Sequence, residues 1–154
     1  MKINLRLFGF ILAVFSLSFL ISCTEDDPTE PHDEHFHAEG IVLYLKGLQE
    51  IKIFQNEFIS ANKKIELLNG EITDLYDVKF LDEDGNEFDP PDDEDFSLDW
   101  EVSNTDIIAI EQLRPGDWSF RIDAKKTGST DFKLMVKHID HNGFISPQIP
   151  VEVE

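Results

Sequence analysis

One cysteine, Cys23, in 154 residues rules out an intrachain disulfide. Basic side chains are scarce as well: 13 Lys and Arg stand against 32 Asp and Glu, a formal net charge of −19. So acidic a chain repels phosphate backbones and anionic headgroups, which excludes a nucleic-acid partner and leaves cations as the species its field concentrates. The chain also lacks a Gly-x-Ser-x-Gly elbow, a phosphate-cradling glycine loop and a dinucleotide fingerprint. Carboxylates are so abundant that no pair stands out as an acid/base couple, and the chain reads as non-enzymatic. Only one long hydrophobic run occurs, over residues 7–21. As a helix it would extend roughly 23 Å, short of the roughly 30 Å of bilayer hydrocarbon, so a permanent transmembrane helix is disfavoured.

That run has the layout of a secretory signal: Lys2 and Arg6 lead into it, and a small residue and the cysteine, Ser22-Cys23, close it. Leu20-Ile21-Ser22-Cys23 resembles the lipobox of bacterial lipoproteins, an aliphatic residue, a variable one, a small one and an invariant cysteine. The resemblance implies a signal peptide over residues 1–22, cleavage before Cys23, a diacylglycerol on its thiol and acylation of its freed amine. The partner so implied is the lipid bilayer, since two or more acyl chains anchor stably where one does not. Thr24-Glu25-Asp26-Asp27 resembles the acidic export signal of surface lipoproteins in some Gram-negative bacteria. It implies an outer-membrane lipoprotein exposed at the surface; read as an ordinary solvated linker, the same residues leave the protein facing the periplasm.

Residues 23–36, rich in acids, proline and histidine, have the composition of a lipidated tether. From His37 the pattern changes, and residues 37–154 are expected to form one domain. Apolar residues recur there at a period of two: Tyr76, Val78 and Phe80; Leu98, Trp100 and Val102; Trp118, Phe120 and Ile122; Phe132, Leu134 and Val136; Ile149, Val151 and Val153. Ile41 to Leu45 and Ile51 to Phe54 are denser runs, suited to strands buried on both faces. Asn69-Gly70 predicts a tight hairpin, and Asp84-Gly85-Asn86, Pro115-Gly116 and Thr127-Gly128-Ser129 punctuate later strands. Residues 56–68 are the one stretch where a helical turn is expected, because Glu57, Ala61, Lys63 and Lys64 are not strand formers. The whole predicts an all-β fold, a β-sandwich of seven or more short antiparallel strands.

The second half is more specific. Leu98-Asp99-Trp100-Glu101-Val102-Ser103-Asn104, then Ile107 to Ile110, then Gly116 to Ile122, then Lys126-Thr127-Gly128-Ser129-Thr130 and Phe132-Lys133-Leu134, resembles bacterial immunoglobulin-like domains. The resemblance implies an immunoglobulin-like β-sandwich serving as scaffold, a fold that hosts adhesion, recognition and structural roles alike.

All five histidines fall in two clusters: His32, His35 and His37, then His138 and His141. Imidazole is the commonest ligand for zinc, copper and nickel, and clustered donors reach three- or four-fold coordination at little ordering cost. His35 and His37, two apart, face one side of an extended backbone. His138 continues the Phe132, Leu134, Val136 face, and His141 follows in or near a turn. If the N-terminal strand lies beside a C-terminal one, His35, His37, His138 and His141 form a composite site, with His32, Glu34, Glu39 and Asp140 as reserve ligands or acceptors for ring N–H groups. Zinc heads the expected metals, with copper or nickel next, and capture for an outer-membrane transporter or another surface protein is the partner reading. Against it stands a bland one, in which His138 merely caps the core and His141 faces solvent.

Residues 82–95 hold nine carboxylates and no Lys or Arg. Calcium favours such oxygens, yet an EF-hand loop starting at Asp82 requires glycine where Glu87 stands, so a solvated loop stiffened by Pro90-Pro91 is the better account. Two function classes result: a lipid-anchored metal-binding module, and a lipid-anchored immunoglobulin-like adhesion or assembly module with incidental histidines. Calcium-stabilised glycan binding through the acidic loop is a weaker third.

Overall fold

In the computed structural model, which describes residues 36–154, the alternating runs form strands with their apolar sets turned inward. Phe132, Leu134 and Val136 are wholly buried, as are Phe80, Phe120, Ile122 and Ile149. Ile41, Val42 and Leu43 are buried in succession, which places their strand inside its sheet with both faces covered. No helix occurs among the described residues.

Two sheets pack face to face. The first contains β1 (Gly40–Leu45), β2 (Leu48–Phe54), β3 (Glu57–Phe58), β5 (Tyr76–Leu81), β6 (Glu87–Phe88), β8 (Ile108–Glu111) and β9 (Ser119–Ala124). Its order is β3-β2-β1-β5-β9-β8, with β6 also on β5. The second contains β4 (Ile65–Leu67), β7 (Phe96–Val102), β10 (Gly128–His138), β11 (His141–Ile145) and β12 (Ile149–Val153). The long strand β10 organises it, pairing β7 on one edge and, successively along the other, β12 and β11. Aromatic rings cross the interface between sheets: Phe80 meets Phe144 edge-on at 5.7 Å, and Phe120 meets Phe132 at 5.8 Å. The architecture is a β-sandwich.

The registers define two ends. At one lie the start of β1, the β5–β6 loop and the β10–β11 turn; at the other, the β1–β2 turn, Gly70 and the end of β12. The first is the proximal end, because the chain enters there through Phe36, whose ring packs against Phe80, Phe88 and Phe96. Phe36, assigned above to the tether, is thus part of the core.

Several expectations change. The helical turn expected over residues 56–68 is absent: Gln55 and Asn56, both at positive φ, reverse the chain into β3, and Ile65 and Leu67 are buried by β4. Ladder pairing and burial outweigh the weak helical preference of Ala and Lys there. Asn69-Gly70 does form a tight turn, with Glu71 N–H donating to Leu68 O at 2.9 Å and Gly70 at φ 83°. It does not close a hairpin; it carries the chain from β4 in the second sheet to the first. The pairing is not wholly antiparallel either, since β4 runs parallel to β12. Finally, the N-terminal strand does not lie beside a C-terminal one: β1 pairs β2 and β5. A two-residue Lys46-Gly47 turn with both φ positive folds β2 straight back on β1 and occupies that edge.

Candidate functional site

His138 is the last residue of β10 and His141 the first of β11, paired across the turn Ile139-Asp140. The alternation that buries Phe132, Leu134 and Val136 buries His138 too, leaving it 7% exposed. Its ring stacks on Phe96, its register partner on β7, at 4.3 Å and 10°, and meets the His141 ring edge-on at 5.1 Å. The buried Nδ1 of His138 has no hydrogen-bond partner. His141 is 44% exposed at its side chain, and its Nδ1 lies 3.4 Å from Asp140 Oδ1. The turn is strained, since Ile139 sits at φ 53°, a region β-branched residues avoid.

His138 therefore caps the core by stacking. A buried ring nitrogen without a partner costs about 1–3 kcal/mol, whereas an apolar ring of similar shape carries no such cost. His138→Phe is accordingly expected to raise unfolding stability by about 1 kcal/mol in urea titration. A loss of stability instead would show that Nδ1 is satisfied.

His37 lies at the same proximal end, one residue from Phe36, but on the side of the first sheet. With Ala38, Glu39, Asp82 and Glu83 it lines a shallow recess of about 350 Å³. Among the described residues no group of three or more His, Cys, Asp or Glu is placed to hold a metal ion. Cys23, His32, Glu34 and His35 lie outside the described residues, as do the stretches expected to form a signal peptide, residues 1–22, and a tether, residues 23–35. Among the described residues, the two hairpin imidazoles, one with its Nδ1 buried, and the carboxylate beside the other amount to fewer than the three or four convergent donors that zinc, copper or nickel takes.

The acidic β5–β6 loop is satisfied internally. Asp82 accepts from Asp84 N–H at 3.0 Å, Asn86 N–H at 2.8 Å and Asn86 Nδ2 at 3.0 Å. Led by the Asn86 side chain, these donors hold its carboxyl below the usual range. Beside it, Glu87 takes hydrogen bonds from Tyr44 and Lys52, and the Tyr44 bond in particular keeps it ionised to lower pH than a free Glu. These carboxylates lock a hairpin, in line with the solvated-loop account.

A different surface feature escaped the sequence. Strands β5 and β9 share only two pairs, Tyr76 with Phe120 and Asp77 with Ser119, and Val78 N–H then bonds Trp118 O at 3.0 Å. Beyond that point β6 takes over the edge of β5. The divergence opens a cleft of about 650 Å³ where the two strands part, bordered by Trp118, Pro90, Pro91 and Leu113. Trp118 is half-buried, edge-on to Phe80 at 5.9 Å. Period-two alternation assigns Trp118 to the core face with Phe120, and it does pack against the core, standing just before β9 after the Pro115-Gly116 turn.

No protein-family model matches the chain, and no curated protein does. Similar solved structures are pieces of an S-layer protein, SbsC. Its domains 4 and 5 align with a TM-score of 0.42 and 14% identity, over 73% of this chain and 53% of that one. Its domains 5–6 align with a TM-score of 0.43 and 14% identity, over 61% and 41%. This chain therefore spans about half, or less, of the structures it matches. At this level the likeness assigns neither family nor activity.

Proposed function

We propose that this chain is a non-catalytic interaction module, held at the outer surface of a bacterial outer membrane by lipid on Cys23. The observation that supports it is the grip on Phe36. Phe36, the first described residue, is 9% exposed and packed against three phenylalanines. Residues 24–35 separate that point from the lipobox cysteine and reach roughly 40 Å when extended. Such a design transmits a membrane anchor to a rigid β-module while leaving the module's sheet faces open. Its clefts are bordered by ion pairs, such as Lys64 with Glu66 and Glu152 beside a recess near Pro150.

The test is metabolic labelling with a palmitate analogue in Gram-negative cells expressing the chain or Cys23→Ser. Label and membrane fractionation are expected for the parent and lost in the variant, and protease added to intact cells should clip the parent. Equal fractionation of both proteins, with no label in either, would overturn the anchor. Protection from protease in labelled cells would place the module in the periplasm.

A further inference from the structure

We propose that the cleft at Trp118 docks a cationic peptide segment, extended backbone that carries lysine or arginine side chains. This goes beyond the tethered-module reading and holds with or without the lipid.

The cleft exists because β5 and β9 part after two residue pairs, so its floor is built by strands and does not depend on a loose loop. Trp118, half-buried against Phe80, offers the exposed part of its indole, and Pro90 and Pro91 add two rings whose backbone φ is fixed. Together they suit the methylene stem of a long basic side chain, with its cation over the aromatic face. The charges around them are unequal. Lys79 pairs with Asp89 at 2.5 Å and Arg114 with Asp117 at 3.3 Å. Asp77 and Asp92, which line the same cleft, have no ion-pair partner among the described residues. The cleft therefore sets the exposed part of an indole beside four carboxylates, Asp77, Asp89, Asp92 and Asp117, against two cations, Lys79 and Arg114, an excess of negative charge that suits an alkyl cation.

Other ligand classes fit less well. A neutral sugar ring stacks on the same indole but gains nothing from uncompensated negative charge, and anions are repelled by it. The chain's net charge of −19 also steers cationic partners toward it at long range. A volume of about 650 Å³ accommodates a few side chains, a size suited to a short segment.

The experiment uses the full chain in neutral detergent and, as probe, a fluorescein-labelled, acetylated octapeptide of alternating lysine and alanine, at about 0.15 M salt to screen diffuse attraction. Saturable binding by anisotropy is expected, weakened at least about fivefold by Asp77→Asn with Asp92→Asn. Glu83→Gln with Asp84→Asn, on the neighbouring acidic loop, should change it less than about twofold. The chain has two tryptophans, so its NMR spectrum resolves two indole N–H signals, of which only that of Trp118 should move on titration. Equal losses in both double variants would show diffuse charge attraction and overturn the proposal. So would a chito-oligosaccharide that shifts the Trp118 signal where the peptide does not, which would give the cleft to a sugar.

Discussion

Gly40→Ala is expected to cost about 3 kcal/mol or more of unfolding stability, and to leave the domain largely unfolded if its total stability is ordinary. Gly40 opens β1 and pairs simultaneously with Phe54 of β2 and Leu81 of β5. A Cβ added there would stand 2.2 Å from Ile53 O, 2.8 Å from Leu81 Cδ1 and 3.1 Å from Phe54 Cα. Two of those three atoms are backbone of a strand already fixed in the ladder, so relief requires the strands to separate. What would then be exposed is Ile41, Val42 and Leu43, all wholly buried in the middle of the first sheet. Gly47→Ala is the control. It sits at φ 76° with open space around its Cβ position, so only backbone strain opposes the methyl group, about 1 kcal/mol. Urea titration of the two variants separates the mechanisms; a Gly40→Ala loss under about 1 kcal/mol would mean that β1 and β2 are not so closely apposed.

Gly40 also illustrates what a linear reading can see. Nothing around it in sequence marks it, because its constraint comes from two strands that arrive later in the chain. Where a property is local, the sequence was sufficient: four of the five period-two sets lie wholly within strands, the fifth starts one residue before β9, and His138 falls inside because it continues the β10 alternation. The Asp84-Gly85-Asn86 reversal is likewise where its turn residues put it, with Gly85 N–H bonded to Asp82 O at 3.0 Å. Alternation says which face of a strand is buried but not which sheet the strand joins, and so the separation of β1 from β12 was illegible. The Lys46-Gly47 turn decided that separation, and lysine at positive φ gives little warning of it. His37 and the His138–His141 pair do lie at one end of the domain. Sharing an end is weaker than convergence, however: His37 faces the Asp82 side while His138 is turned into the core against Phe96. The Trp118 cleft was invisible for a third reason. It is produced by where pairing stops, and the end of a ladder has no fixed residue signature.

Phe36→Ala should be the other large effect, about 3 kcal/mol within the roughly 3–5 kcal/mol range for removing a buried phenylalanine ring. The ring is edge-on to Phe80 at 4.7 Å and lies 5.8 and 6.1 Å from Phe88 and Phe96. Its Cβ approaches β11 so closely that a Cβ built on Gly143 would be 3.1 Å away. Phe36 therefore joins both sheets at the proximal end, and its removal leaves a cavity that Phe88 and Phe96, themselves only partly buried, are poorly placed to fill. Because Phe96 in turn stacks on His138, the loss should reach the β10–β11 turn. A double-mutant cycle reads that coupling: Phe36→Ala with His138→Ala should be less destabilising than the two single effects added, by at least about 0.5 kcal/mol. Additive effects would show that the proximal end is not one packed unit. The functional consequence follows from where Phe36 stands. Without that ring, residues 37–39 lose the packing that holds them to the sandwich, so limited proteolysis should cut the variant between Phe36 and Gly40 well before it cuts the parent chain. A parent chain cut there at the same rate would mean that the ring does not fasten this segment to the sandwich.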